Sequence, residues 1–101
     1  SKTKTARLQI EDLSAALDMY RLEVGHYPNA DEGLIALVAQ PSGVGNWSGP
    51  YLKKTVLPQD PWGFDYVYEV PGEHGVYDLY SRGADNALGG EGENVDVLGW
   101  E

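Results

Sequence analysis

"ARLQIEDLSAALDMYRLEV", Ala6 to Val24, decides how the rest of the chain is read. Its apolar residues Ala6, Ile10, Leu13, Leu17, Tyr20 and Val24 follow one another at spacings of four, three, four, three and four, which lays them in one stripe along a helix. Arg7, Glu11, Asp12, Asp18 and Arg21 fall on the opposite side, and Gly25 followed by Pro28 supplies a stop signal. The repeat covers fewer than three heptads, so its expected use is packing on its own domain rather than in a coiled coil. The stripe is strong from its first turn, with Ser1 to Thr5 already joined to it, and the expectation is a helix cut from a longer one.

Downstream, Asn29 and Glu32 stand in a capping-box arrangement ahead of a shorter predicted helix with Leu34, Leu37 and Val38 on its buried side, weakened by Gly33. Gln40 to Pro50 reads as a glycine- and proline-rich loop that Trp47 folds back to cover. "FDYVYEV", Phe64 to Val70, alternates Phe64, Tyr66, Tyr68 and Val70 against Asp65, Val67 and Glu69, the pattern of a half-buried strand. "VYDLYS", Val76 to Ser81, reads as a second strand, and "PGEHG" between them as a hairpin turn. A helix followed by antiparallel strands predicts the α+β class, with residues 1–101 forming a single domain and the long helix laid across the sheet.

The totals bound the function. A chain of 101 residues is the size of one small domain. A formal charge of −9 disfavours a nucleic-acid partner, because phosphate recognition needs clustered lysine and arginine. The absence of cysteine removes disulfides, thiolate metal sites and cysteine nucleophiles, and no apolar run has the length of a membrane helix. Gly-x-Ser-x-Gly, Gly-x-Gly-x-x-Gly and His-Glu-x-x-His are all missing, and His26 and His74 sit beside turn glycines without a nucleophile, so no enzyme is expected. Asp60 and Asp65 are a dispersed carboxylate pair rather than an assigned catalytic one. In "LPQDPWG", Leu57 to Gly63, two prolines bracket Asp60 and Gly63 completes a turn for Trp62 to pin to the core.

The segment that such a core does not explain is "GADNALGGEGENVD", Gly83 to Asp96. It gathers Asp85, Asn86, Glu91, Glu93, Asn94 and Asp96 among glycines, with no lysine, arginine or histidine. Calcium takes six to eight oxygen ligands in irregular geometry, and glycines let a backbone curl to aim carbonyls at one centre. A divalent ion would offset both the carboxylate repulsion and the entropy lost on ordering such a loop. Zinc lacks its nitrogen and sulfur donors here, magnesium prefers to keep its waters, and the spacing is not that of an EF-hand. Asp85 and Asp96 are expected to close the two ends; the bland alternative is a mobile acidic surface loop. "VDVLGW", Val95 to Trp100, looks ready to pack and favours an ordered loop.

"ALDMYRLEVGHYPNADEGLIALV", "GPYLKK", "LPQDPWG", "YDLYSRGADN" and "VDVLGW" occur in that order across nearly the whole chain, and together the sequence resembles the major pseudopilins of the bacterial type II secretion system. The resemblance implies a pilin-like fold: a long N-terminal helix packed on a small antiparallel sheet, with a calcium-binding C-terminal loop. It implies a structural subunit of a periplasmic filament that helps export folded proteins and catalyses nothing. Implied partners are further copies of the chain, minor pseudopilins and the inner-membrane assembly platform. Members begin with a methylated hydrophobic helix that anchors them in the inner membrane; that helix is absent from this sequence, so the expectation is a periplasmic domain with Lys2, Lys4 and Arg7 just beyond the membrane. As metal ligands the resemblance implies the carboxylates of Asp85 and Asp96 and the carbonyls of Arg82 and Ala87, with Glu93 and Asn94 as further candidates. Asn86 stands in place of a usual glycine and Val95 in place of an acid found in some relatives. The rival of another class is a secreted, calcium-dependent glycan-binding module using Trp47, Trp62 and Tyr51.

Overall fold

In the computed structural model, which describes residues 1–101, the stripe at Ala6–Val24 becomes a helix, α1, spanning Lys2–Val24. Ala6, Ile10, Leu13, Leu17 and Tyr20 are buried, joined by Ala16, while Val24 at the last turn is half-buried. Gly25 takes φ 102° and its N–H reaches Arg21 O at 2.9 Å, so the helix stops where a residue without Cβ can turn left-handed. The chain divides into two compact units, Ser1–Glu11 with Pro58–Glu101, and Asp12–Leu57.

The first unit contains a three-stranded antiparallel sheet in the order β1-β2-β3: β1 is Val67–Glu69, β2 Asp78–Ser81 and β3 Val97–Leu98. Val67 pairs with Tyr80 and Glu69 with Asp78, which confirms the hairpin, and Tyr80 pairs with Leu98 on the other side. Ala6 and Ile10 of α1 share this unit's buried set with Tyr66, Leu79 and Val97. Two contacts show how closely the helix meets the sheet region. The Tyr66 hydroxyl donates to Gln9 Oε1, and a Cβ placed on Gly99 would lie 3.1 Å from Ile10 Cγ2 and 2.4 Å from Leu79 O. Burial, with the charge of Asp60 as a second cause, pushes the Tyr66 phenol well above its ordinary pKa.

In the second unit Tyr20 is fully buried and meets Tyr51 edge-on, with ring centroids 5.7 Å apart. Trp47 does fold back: its indole N–H donates to Ala36 O at 2.6 Å and its ring meets Tyr51 edge-on at 5.8 Å. Asn46 Nδ2 donates to Glu23 O at 3.0 Å and Val24 O at 3.2 Å, supplying partners for carbonyls that the helix end leaves open. Glu23 in turn accepts from the hydroxyls of Ser48 and Tyr51, and these bonds, Ser48 first, hold its carboxyl below the usual range.

Three expectations change. The reciprocal capping box is present, with Glu32 N to Asn29 Oδ1 at 2.8 Å and Asn29 N to Glu32 Oε1 at 2.9 Å. It closes only one turn, because Gly33 at φ 64° breaks the path and a 3₁₀ segment, Leu34–Leu37, follows in place of an α-helix. The strands are shorter than the alternation: Phe64 and Val70 lie outside β1, and Val76 is 68% exposed, outside β2. Val95, expected to pack, is 41% exposed, whereas Val97 two positions on is buried at 1%.

Candidate metal centre in the C-terminal loop

The framework of the loop begins at Asp60. Its carboxylate is 3% exposed, and Oδ1 accepts from Trp62 N at 3.1 Å and Phe64 N at 2.9 Å, while Oδ2 accepts from Ser81 Oγ at 2.8 Å. Ser81 Oγ also accepts from Gly83 N at 3.1 Å, so a buried chain of hydrogen bonds runs from the Pro58–Gly63 turn to the first residue of the acidic loop. Asp60 is thus committed to structure, and Asp65, exposed and bonded by Gln59 Nε2 at 3.1 Å, lies outside that network. Asp60 had been read as a turn residue from its flanking prolines; nothing in the sequence announced Ser81, 21 residues away, as its partner.

From Gly83 the loop doubles back on itself. Ala84 N donates to Glu93 O at 2.8 Å, and Gly83, at φ 76°, sits where an added Cβ would come within 2.7 Å of Val95 O and 2.8 Å of Glu93 O. That close approach brings the Arg82–Ala87 arm against the Glu93–Asp96 arm. On the first arm, Asp85 Oδ1 accepts from Ala87 N at 3.2 Å, and Asn86 takes φ 50°, the left-handed conformation that its short polar side chain tolerates. On the second, a 3₁₀ turn at Gly92–Asn94 leads into Asp96, whose Oδ1 is buried without a hydrogen-bond partner. Glu93 and Asn94 are exposed, and the backbone carbonyl of Glu93 is taken by Ala84.

No three histidine, aspartate or glutamate side chains stand close enough together to hold a metal by themselves. A cation at this loop therefore needs backbone carbonyls beside the carboxylates of Asp85 and Asp96. The orphaned Asp96 Oδ1 fits such a ligand, since a buried carboxylate oxygen without a donor is costly. An all-oxygen, irregular donor set is calcium chemistry.

Beyond the loop, Trp100 stacks on His74, centroids 4.1 Å apart and planes at 5°, and meets Tyr80 edge-on at 5.7 Å. His74 Nδ1 lies 3.1 Å from Asp78 Oδ2, and Asp78 also accepts from the backbone N–H groups of Glu73 and His74. The stack clamps the β1–β2 hairpin to the end of the chain, a role for His74 that its place in a turn did not reveal.

The sequence profile of the type II secretion system protein G family matches residues 1–100. The chain belongs to that family. Among protein G relatives, the type II secretion system core protein G of Pseudomonas aeruginosa is 45% identical over 105 residues, covering all of this chain and 72% of the relative. That of Vibrio cholerae is 46% identical over 91 residues, covering 87% of this chain. The chain spans 61% of the length of the Vibrio protein, so part of these protein G sequences has no counterpart here. The crystal structure of the major pseudopilin from the type 2 secretion system of enterohaemorrhagic Escherichia coli superposes with a TM-score of 0.78 at 34% identity, covering 98% of this chain and 82% of that one. The pilin-like arrangement of protein G, helix first and small antiparallel sheet after, is thus the fold of this chain.

Proposed function

We propose that this chain is the periplasmic part of a structural subunit of the type II secretion pseudopilus, polymerising into a filament whose growth helps move folded proteins through the outer membrane. The observation that carries this is the family match over residues 1–100 together with the whole-chain superposition on a major pseudopilin. Relatives of this kind are subunits of a secretion system rather than enzymes, and the buried, hydrogen-bonded state of Asp60 gives this chain no free carboxylate pair with Asp65. Of the three residues of the glycan-binding reading, Trp47 gives its indole N–H to Ala36 O and Tyr51 its hydroxyl to Glu23, which leaves Trp62 as the one polar ring group without an internal partner.

In this reading the subunit is anchored in the inner membrane by a segment outside this sequence and meets further copies, minor pseudopilins and the assembly platform. No helix present is long and apolar enough to cross a membrane. Calcium, held by the carboxylates of Asp85 and Asp96 and by carbonyls of Arg82 and Ala87, neutralises the loop and fixes it as a surface for stacking. The Asp60–Ser81–Gly83 chain holds one arm in place whether or not the ion is bound, so binding orders a short stretch rather than the whole unit.

The test is complementation with the full-length protein in cells lacking their own major pseudopilin. Restored secretion and surface filaments built from this chain are expected. Full-length subunits that reach the membrane yet neither polymerise nor restore secretion would overturn the reading.

A further inference from the structure

Arg82 is the only lysine or arginine after Lys54. It follows β2, is half-buried, and carries a buried Nε with no hydrogen-bond partner. The guanidinium is in no ion pair, the pair of this chain being His74 with Asp78. A cation that has lost part of its water and gained no carboxylate is unfavourable. In a chain with 16 acidic residues the missing counter-charge is a matter of placement, not supply.

Arg82 borders a solvent-open groove of about 360 Å³, walled also by Gln59, Phe64, Asp65, Tyr66 and Asn86. Asp65, the acid in that groove, is engaged by Gln59 Nε2. Inside the fold the Arg82 side chain donates to the Tyr80 hydroxyl, which offsets part of the upward shift caused by burial and by Glu69. The groove runs beside β1, an edge strand with a partner on one side only. A guanidinium between an aromatic wall and an amide suits a carboxylate carried on another chain, with the stem of its side chain against the rings.

We propose that this groove receives an acidic side chain of a second copy of the chain, paired with Arg82. Charge complementarity names the occupant: each copy carries a net −9 and presents exposed acids such as Glu91, Glu93 and Glu101, so stacked copies relieve their mutual repulsion where a cation of one meets an acid of the next. Such a contact joins two different patches, and repeating it builds an open filament rather than a closed dimer. The inference rests on the filament reading above and assigns one of its contacts.

The test uses full-length protein assembled in membranes, with Gln59→p-benzoylphenylalanine as a photo-crosslinker on the groove wall while Arg82 stays intact. Crosslinked dimers are expected in filaments, joined to a peptide that carries an acid. R82E is expected to lower filament yield about tenfold and R82K to stay within about twofold, the loss following from a like charge placed at a paired site. Filaments that form without any dimer crosslink at position 59, or that form equally well with R82E, overturn the contact and leave the pseudopilus reading standing. Crosslinks only to a different protein, or abolished by acetate while assembly continues, also overturn it. A wild-type chain that never assembles overturns both.

Discussion

Asp60 and Gly83 hold the two ends of one hydrogen-bonded path, and each is irreplaceable for a different reason. Asp60→Ala leaves Trp62 N, Phe64 N and Ser81 Oγ without their acceptor in a buried place, and the expected loss is about 2–4 kcal/mol. A urea unfolding curve shifted to lower midpoint at unchanged slope checks it; a shift equivalent to less than about 0.5 kcal/mol would mean that water replaces the carboxylate. At Gly83 the constraint is space as well as conformation. Gly83→Ala meets Val95 O at 2.7 Å and a φ of 76°, whereas Gly89→Ala meets a φ of 80° with nothing within 4 Å. Gly89→Ala should therefore cost about 1–2 kcal/mol and Gly83→Ala clearly more. Equal losses by thermal melting would show that the two arms do not close on each other at this residue.

At the level of elements, the hairpin turn is held by one carboxylate. Burial works against the charged form of Asp78, but the hydrogen bonds from His74 and from the Glu73 backbone outweigh it and hold the carboxyl below its ordinary pKa. A depressed folded-state value means that the contribution is fully present above the unfolded value, near pH 4, and disappears as pH falls through the folded one. Asp78→Asn should accordingly be less stable than the parent chain at pH 6, with the gap closing as the pH is lowered below about 4; a gap that stays constant in denaturant titrations from pH 6 to 2.5 would rule this out. The elements differ in how far the sequence announced them. α1 was legible because Ala6 to Tyr20 alternate spacings of four and three over several turns, and the capping box was legible because it is local. β1 and β2 were placed correctly but drawn too long, since alternation persists through Phe64 and Val76, where no partner strand continues. β3, two residues long, exists only through Tyr80 and Ser81 across from it, and no local period can announce that. The acidic loop was visible as composition; its closure through Ala84, Glu93 and the Ser81 hydroxyl depends on residues far apart in the chain.

For the molecule as a whole, a charge of −9 means that folding and assembly both bring like charges together, most densely at Asp85 to Asp96. A cation bound only by the folded state would stabilise it by mass action, to an extent set by the ratio of free ion to dissociation constant. If the site resembles extracellular calcium modules, with a dissociation constant of about 10⁻⁴ M, then 1 mM calcium contributes about 1.4 kcal/mol. For a domain of this size that corresponds to a rise of roughly 5–10 °C in Tm. Chelation should remove the rise, and Asp85→Ala or Asp96→Ala should abolish it while leaving Tm in chelator nearly unchanged. Because the Asp60–Ser81–Gly83 path reaches the loop only at its first residue, Asp60→Ala should lower Tm both with and without calcium, so the two sets of variants separate the ion's contribution from the framework's. Magnesium at the same concentration distinguishes a built site from screening of the negative field: equal shifts from both ions would indicate screening alone, whereas a shift confined to calcium would support the proposed oxygen ligands.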